Sequence, residues 1–135
     1  MNFVRHLNQD DAAALSRLAE HLFRLGDTEI AMGEALADIV ATAVLMPADV
    51  RKKHHVGLYA EVKYVRDGDE TETAVTIVLP QDAQPASGRI SVLAPLALAL
   101  IGRRVNELVK VDLPMGKSMM LKIRDVRHPV LEGHA

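Results

Sequence analysis

Ser91-Val92-Leu93-Ala94-Pro95-Leu96-Ala97-Leu98-Ala99-Leu100-Ile101-Gly102 begins as a strand, turns at a proline, runs apolar for about two helical turns and stops at a glycine. Proline suits the first helical position, where its missing N–H costs nothing, and glycine suits the residue just past the end. Leu96, Leu100 and Ile101 share one helical face, with Ala97 beside them, while Leu98 points elsewhere. So short and oily a helix needs a broad surface to lie on. The chain on either side reads as β, so that surface is expected to be a sheet.

Working outward from that stretch, the period of the sequence is two on both flanks. Leu58, Ala60, Val62 and Tyr64 alternate with Tyr59, Glu61, Lys63 and Val65. Asp67-Gly68 marks a turn, and Thr73, Val75, Ile77 and Leu79 alternate on the return. Pro80 to Gly88 reads as a loop, and Ile90-Ser91-Val92 as a short third strand. Beyond Gly102, Val109, Val111 and Leu113 alternate, Pro114-Met115-Gly116 turns, and Met119, Leu121 and Ile123 run back. The expected body is an antiparallel sheet with one helix packed across a face, an α+β domain. The segment from His128-Pro129 onward is expected to be a loose tail.

The front of the chain has helical spacing. Asn8 or Asp10 can cap a helix in which Leu15, Leu18, Leu22 and Leu25 recur, and Gly26 stops it. Asp27 or Thr28 caps a second, whose stripe is Ile30, Leu36, Ile39, Val40, Ala43 and Val44, with Pro47 as its terminator. So short a connection makes the two antiparallel neighbours, a helical hairpin over 10–46. The expected division is a hairpin over 1–49 and a body over 50–135. At 15 or so residues, the first helix extends only ~22 Å.

Composition narrows the function classes. With 49% hydrophobic and 25% charged residues in 135, the chain suits one ordinary globular core and a small appendage. No cysteine is present, so disulfides and thiolate metal sites are excluded. The opening MNFVRHLNQDD is too polar for a signal peptide, and no apolar run reaches the roughly 18–20 residues of a membrane helix, giving a cytoplasmic expectation. The net charge of −2 divides unevenly: residues 1–50 carry three Arg and eight acids, net −5, and residues 51–135 are net +3. That basic excess is too dilute to argue nucleic-acid binding on its own.

Two features could hold a metal. At the hairpin tip, Gly26-Asp27-Thr28-Glu29 presents two carboxylates, hard ligands of the kind Mg²⁺ takes, although first-turn acids also simply complement a helix dipole. His54-His55 lies in the basic stretch 47–57, but adjacent histidines on an extended chain point opposite ways and no third ligand follows, so a solvated basic linker is expected. His6, His21, His128 and His134 call for no special role. No nucleophile–base pair, phosphate-cradling glycine loop or further ligand cluster stands out, and no cofactor or metal is expected.

Ile90-Ser91-Val92-x-x-Pro95, then Ala99-Leu100-Ile101-Gly102, then Val109-x-Val111-x-x-Pro114-x-Gly116, resembles the C-terminal domain of the bacterial Gre transcript-cleavage factors. The hairpin ahead of it resembles their coiled-coil arm, and its shortness looks closer to Rnk, the regulator of nucleoside diphosphate kinase, than to GreA or GreB. The resemblance implies an FKBP-like sheet-and-helix domain and docking near the secondary channel of bacterial RNA polymerase, with DNA or RNA nearby only through the polymerase. It assigns docking to Ser91, Leu93, Ala94 and Pro95, helped by Arg103 and Arg104, and makes Asp27 and Glu29 the acidic arm tip. The Gre turn commonly reads Ser-x-Asp-Ser-Pro; here Leu93 and Ala94 occupy the Asp and Ser positions, as in Rnk-type sequences. Ala97 stands where a glycine is frequent, and Asn106-Glu107 where Gly-Asp is usual.

Three functions follow as expectations. The first is a non-enzymatic polymerase-binding regulator of elongation, since ~22 Å of helix is short for threading a channel. The second is a Gre-type cleavage factor in which Asp27 and Glu29 help hold a catalytic Mg²⁺. The third, a prolyl isomerase, rests on fold analogy alone; without Trp, and with Phe3 and Phe23 in the arm, only Tyr59 and Tyr64 remain to line a pocket.

Overall fold

The computed structural model describes residues 4–48 and 54–128. They divide into two compact units, Met1–Lys52 and Lys53–Ala135. The expected boundary between 49 and 50 lies outside the described residues.

In the first unit, strand β1 (His6–Asn8) leads directly into helix α1 (Gln9–Phe23), and helix α2 (Asp27–Thr42) follows a tight connection. Asn8 Oδ1 accepts from the backbone N–H of Asp10 at 2.7 Å and of Asp11 at 3.3 Å, satisfying two donors that a helix start leaves orphaned. The buried seam of α1 is Asp11, Ala12, Leu15, Ala19 and Leu22. Leu18 is only half-buried and Leu25 is exposed, so the seam is rotated from the expected leucine stripe toward alanines. Close approach is the cause: a Cβ on Gly33 of α2 would meet Phe23 Cε1 at 3.0 Å and the Ala19 carbonyl at 3.1 Å. Small residues let the helices touch there.

The second helix ends at Thr42, four residues before the expected limit. Ala43 is extended (φ −78°, ψ 151°), and strand β2 (Val44–Met46) pairs in parallel with β1, joining His6 to Val44 and Asn8 to Met46. The backbone groups of 44–46 thus find partners in β1 instead of a further helical turn. Asn8 closes this arrangement too, its Nδ2 donating to the carbonyls of Pro47 (3.1 Å) and Ala48 (2.7 Å).

The second unit contains a five-stranded sheet in the order β5-β4-β3-β7-β6, made of β3 (Glu61–Arg66), β4 (Thr73–Val78), β5 (Arg89–Ser91), β6 (Leu108–Asp112) and β7 (Ser118–Arg127). Helix α3 (Pro95–Leu100) packs against β6. The α+β expectation of a hairpin followed by a mostly antiparallel sheet with one helix is met. One pairing departs from it: β5 runs parallel to β4, with Ile77 opposite Ile90 and Val78 opposite Ser91. The 79–88 loop makes that possible by crossing back through two single 3₁₀ turns, Pro80–Asp82 and Pro85–Ser87.

Val62, Ile77, Val92, Val111, Leu121 and Ile123 are completely buried, together with Ala97, Leu100 and Ile101 from the helix segment. Leu96 is half-buried, so its expected place in the core is taken by Ala97. Val65 is buried although its two-residue spacing from Lys63 predicts the face opposite Val62 and Tyr64, because the pairing of β3 with β7 shifts register between Lys63 and Tyr64. Gly102, at φ +78°, ends the helix segment in the left-handed conformation that glycine adopts without strain.

The expected solvated linker is not solvated at its end. Val56 donates to the Arg103 carbonyl (2.7 Å), Gly102 to Val56 (2.8 Å) and Val105 to His54 (2.9 Å), so 54–56 form a short ladder with 102–105. Val56 is buried for that reason. His128 is buried as well, with Nε2 2.9 Å from the His55 carbonyl, and so has a structural partner rather than terminal freedom. The expected loose segment from Pro129 lies outside the described residues, as does His134.

Candidate functional site

The turn between β5 and α3 is built by one serine. Ser91 Oγ accepts from the Leu93 N–H at 3.1 Å, and the Ser91 carbonyl accepts from the Ala94 N–H at 2.9 Å. Such a side-chain-to-backbone bond two residues on replaces the ladder bond that the strand can no longer make. Val92 is drawn inward to complete burial, its N–H donating to Val78 at 2.8 Å. Leu93 and Ala94 are left half-buried and Pro95 exposed. Ser91, Leu93, Ala94 and Pro95 therefore form one continuous surface element of fixed backbone, presenting an apolar rather than an anionic tip.

Arg103 and Arg104 do not join that element directly. They follow the far end of α3, whose six residues separate them from the turn by roughly 9 Å of helical rise. Arg103 is turned inward: its Nη1 lies 3.2 Å from Glu107 Oε2, and Glu107 is 5% exposed. The other carboxylate oxygen of Glu107 accepts from the Arg104 N–H at 3.3 Å. The glutamate thus fixes the 103–107 turn, a role invisible in the sequence because its only local signal is one acid four residues past an arginine. Arg104 is exposed.

Asp27 and Glu29 stand in the other unit, in the first turn of α2, with Asp27 exposed and Glu29 half-buried. Gly26 precedes them without a side-chain cap, so the two acids are the charges nearest the positive end of the helix dipole. Among the described residues, no group of three or more His, Cys, Asp and Glu side chains could hold a metal ion.

A second group unforeseen from sequence secures the loop that feeds the turn. Tyr59, held at φ +64°, donates its hydroxyl to Asp82 Oδ2, and its N–H bonds to the Ile77 carbonyl. Arg89 Nε donates to the Asp82 carbonyl at 3.4 Å. Burial, reinforced by the Asp82 carboxylate, pushes the Tyr59 phenol above its ordinary value. Tyr64 is buried with the core. The two tyrosines are thus engaged in packing and loop anchoring.

The second unit is thus a sheet of five strands with one short helix packed on it, reached through a serine-pinned turn. Residues 51–128 match the family model described as "Transcription elongation factor, GreA/GreB, C-term", and the chain belongs to that family. Curated relatives include the transcription elongation factor GreA of Roseiflexus sp. (strain RS-1), 33% identical over 92 residues, which are 68% of this chain and 58% of the relative. The corresponding GreA of Lactococcus lactis (strain IL1403) is 41% identical over 71 residues, 53% of this chain and 45% of the relative. The chain spans about half the length of these curated relatives. A solved structure from Nitrosomonas europaea, a prokaryotic transcription elongation factor GreA/GreB, covers 94% of this chain and all of its own, with a TM-score of 0.72 at 22% identity. At that identity the likeness is one of fold. No helix among the described residues is long and apolar enough to cross a membrane.

Proposed function

We propose that this chain binds bacterial RNA polymerase at its secondary channel, in the cytoplasm, and regulates elongation without itself catalysing transcript cleavage. Family membership over 51–128 supports the elongation part of the reading. The observation that carries the docking part is the Ser91–Pro95 turn, whose backbone is fixed by Ser91 and whose tip is the apolar pair Leu93-Ala94. A partner meeting that tip desolvates no charged group of it, so the contact is driven by removing apolar surface from water and is weakly sensitive to salt.

The non-catalytic part rests on the arm. Its helices have 15 and 16 residues, about 22–24 Å each. The same shortness, and the Leu93-Ala94 pair, support placing the chain beside Rnk within the superfamily. A second reading has direct support from the relatives, which carry the name transcription elongation factor GreA: a Gre-type cleavage factor in which Asp27 and Glu29 act at a metal in the polymerase centre. That support is greater than the names lend to the non-cleaving reading, whereas arm length argues the other way.

A stalled elongation complex with labelled RNA separates the two. The non-cleaving reading expects full-length transcript after addition of the chain and slower cleavage when a cleaving Gre factor is also present. Shortened transcript with the wild-type chain, abolished by Asp27→Asn with Glu29→Gln, would establish the second reading instead.

A further inference from the structure

The sheet of the second unit ends at β6, and among the described residues no strand pairs with its outer side. An edge of this kind is a template for a further strand. We propose that it joins a second copy of the chain, β6 against β6 and antiparallel, about a two-fold axis through Val111.

The bonds at the two ends of β6 fix which main-chain groups the edge offers. The Ile123 N–H donates to the Glu107 carbonyl at 3.1 Å, and the Leu113 N–H donates to the Lys117 carbonyl at 2.8 Å. Glu107, Val109, Val111 and Leu113 therefore turn their main chain toward β7. Residues between them face the other way, so the N–H and C=O groups of Leu108, Lys110 and Asp112 point out from the sheet. Their side chains share the face opposite the buried Val109 and Val111. Leu108 is 58% exposed, and the Lys110 and Asp112 side chains are 64% and 86% exposed.

The order of residues makes this edge complementary to itself. Laid antiparallel on its own copy about Val111, the segment 108–114 sets Lys110 opposite Asp112 of the second copy, and Asp112 opposite its Lys110. Leu108 then meets Pro114 on the same face, and Val109 meets Leu113 on the other. The two Lys–Asp pairs are also the ones whose main chains face each other, so each exchanges both of its ladder bonds. Leu113 is extended (φ −108°, ψ 163°), which carries the strand path as far as Pro114, whose missing N–H ends the pairing. A self-complementary patch of this kind closes as a two-fold dimer.

Neighbouring registers fail on charge. An axis through Lys110 sets lysine against lysine, one through Asp112 sets aspartate against aspartate, and one through Val109 leaves Lys110 against Leu108. A lysine on an edge strand ordinarily discourages pairing; here Asp112, two residues on, supplies its mate in the second copy. Within one chain the two charges are 3.9 Å apart and largely exposed, a contact worth little and readily exchanged for the cross-strand one. Pairing along a strand of five residues buries a small area, so the dimer belongs with weak, transient interfaces.

Sedimentation of the full chain at low ionic strength, with amide NMR over the same concentrations, tests the assignment without any polymerase present. The wild-type chain should pass reversibly from monomer toward dimer between roughly 0.01 and 1 mM, with shifts centred on 108–114. Lys110→Glu and Asp112→Lys, both at exposed side chains, should each weaken association by about tenfold or more, because two attractive cross-strand pairs become repulsive. Asp112→Lys also takes the formal net charge from −2 to zero, so weaker association in that variant separates local pairing from general repulsion. An equimolar mixture of the two variants should dimerise again, since every opposed pair then joins opposite charges. The double variant Lys110→Glu, Asp112→Lys should associate as the wild type does. A wild-type chain still monomeric at about 1 mM, shifts located elsewhere, folded single variants that associate like the wild type, or a mixture that stays monomeric would overturn the proposal. So would capture of an unrelated extended peptide at 108–112 by a chain that does not itself dimerise.

Discussion

Helix α3 begins without a cap, and Ala94→Ser should supply one. Ala94 holds φ −65° and ψ 144°, the extended conformation of an N-cap, and it makes no side-chain hydrogen bond to the helix. Pro95 at the first helical position has no N–H, so the donors to be satisfied are those of Leu96 and Ala97. A serine hydroxyl at 94 reaches the second or third of these positions, and exchange between alanine and serine at an N-cap is worth about 1 kcal/mol, within a range of about 0.5–2. The substitution adds one oxygen at a half-buried site and leaves Ser91, which pins the turn, unaltered. For a unit of this size, 1 kcal/mol at the midpoint corresponds to a rise of roughly 4–8 °C. Calorimetry of the full chain, with guanidinium denaturation to check that the m-value is unchanged, reads the effect. A midpoint that stays the same or falls, at constant m, would refute the reasoning, because it would mean that the two N–H groups are already satisfied.

Other predictions address the remaining anchors. Asn8→Ala removes the cap of α1 and leaves the carbonyls of Pro47 and Ala48 without their donor, so it should destabilise the first unit by about 2 kcal/mol, read as a lower denaturation midpoint. Asn8→Asp, which keeps the cap but sets a carboxylate against two carbonyls, should recover only part of that. The Tyr59 phenol, raised by burial and by Asp82, should ionise above its ordinary value in an ultraviolet titration, with Tyr59→Phe identifying the band. Because the folded value is the higher one, the associated stability is complete below the unfolded value near 10 and is lost as pH rises through the folded one; Tyr59→Phe should remove that alkaline loss.

Much of the second unit is legible in its periodicity. Two-residue alternation at Val62, Ile77, Val109 and Leu121 locates four strands, and Pro95 with Gly102 brackets the helix between them. What escapes is whatever depends on partners distant in sequence. The pairing of His6–Asn8 with Val44–Met46 leaves no local mark, since each strand has three residues and ends beside a helix. The parallel entrance of β5 depends on the path of the 79–88 loop, and the burial of Val65 on a register shift in the β3–β7 pairing. His54-His55 reads as linker because the segment it pairs with, 102–105, lies beyond the helix.

The candidate site divides in the same way. Ser91 to Pro95 forms one turn because those residues are contiguous and their geometry is local. Arg103 and Arg104 are near neighbours of the turn in sequence, yet six helical residues carry them to its far side, and one of them is bound to Glu107. The sequence marks Asp27 and Glu29 as a pair but offers no third ligand, and helix geometry alone accounts for their position at the start of α2.

Binding to core RNA polymerase tests the account most directly. Immobilised core enzyme should retain the wild-type chain saturably and with little dependence on salt. The double variant Leu93→Ala, Pro95→Ala, verified as folded by its denaturation midpoint, should bind more weakly by about tenfold or more, as expected when the central apolar contact of an interface is lost. Failure of the wild-type chain to bind, or equal binding by the folded double variant, would contradict the claim that the Ser91–Pro95 turn is the docking element.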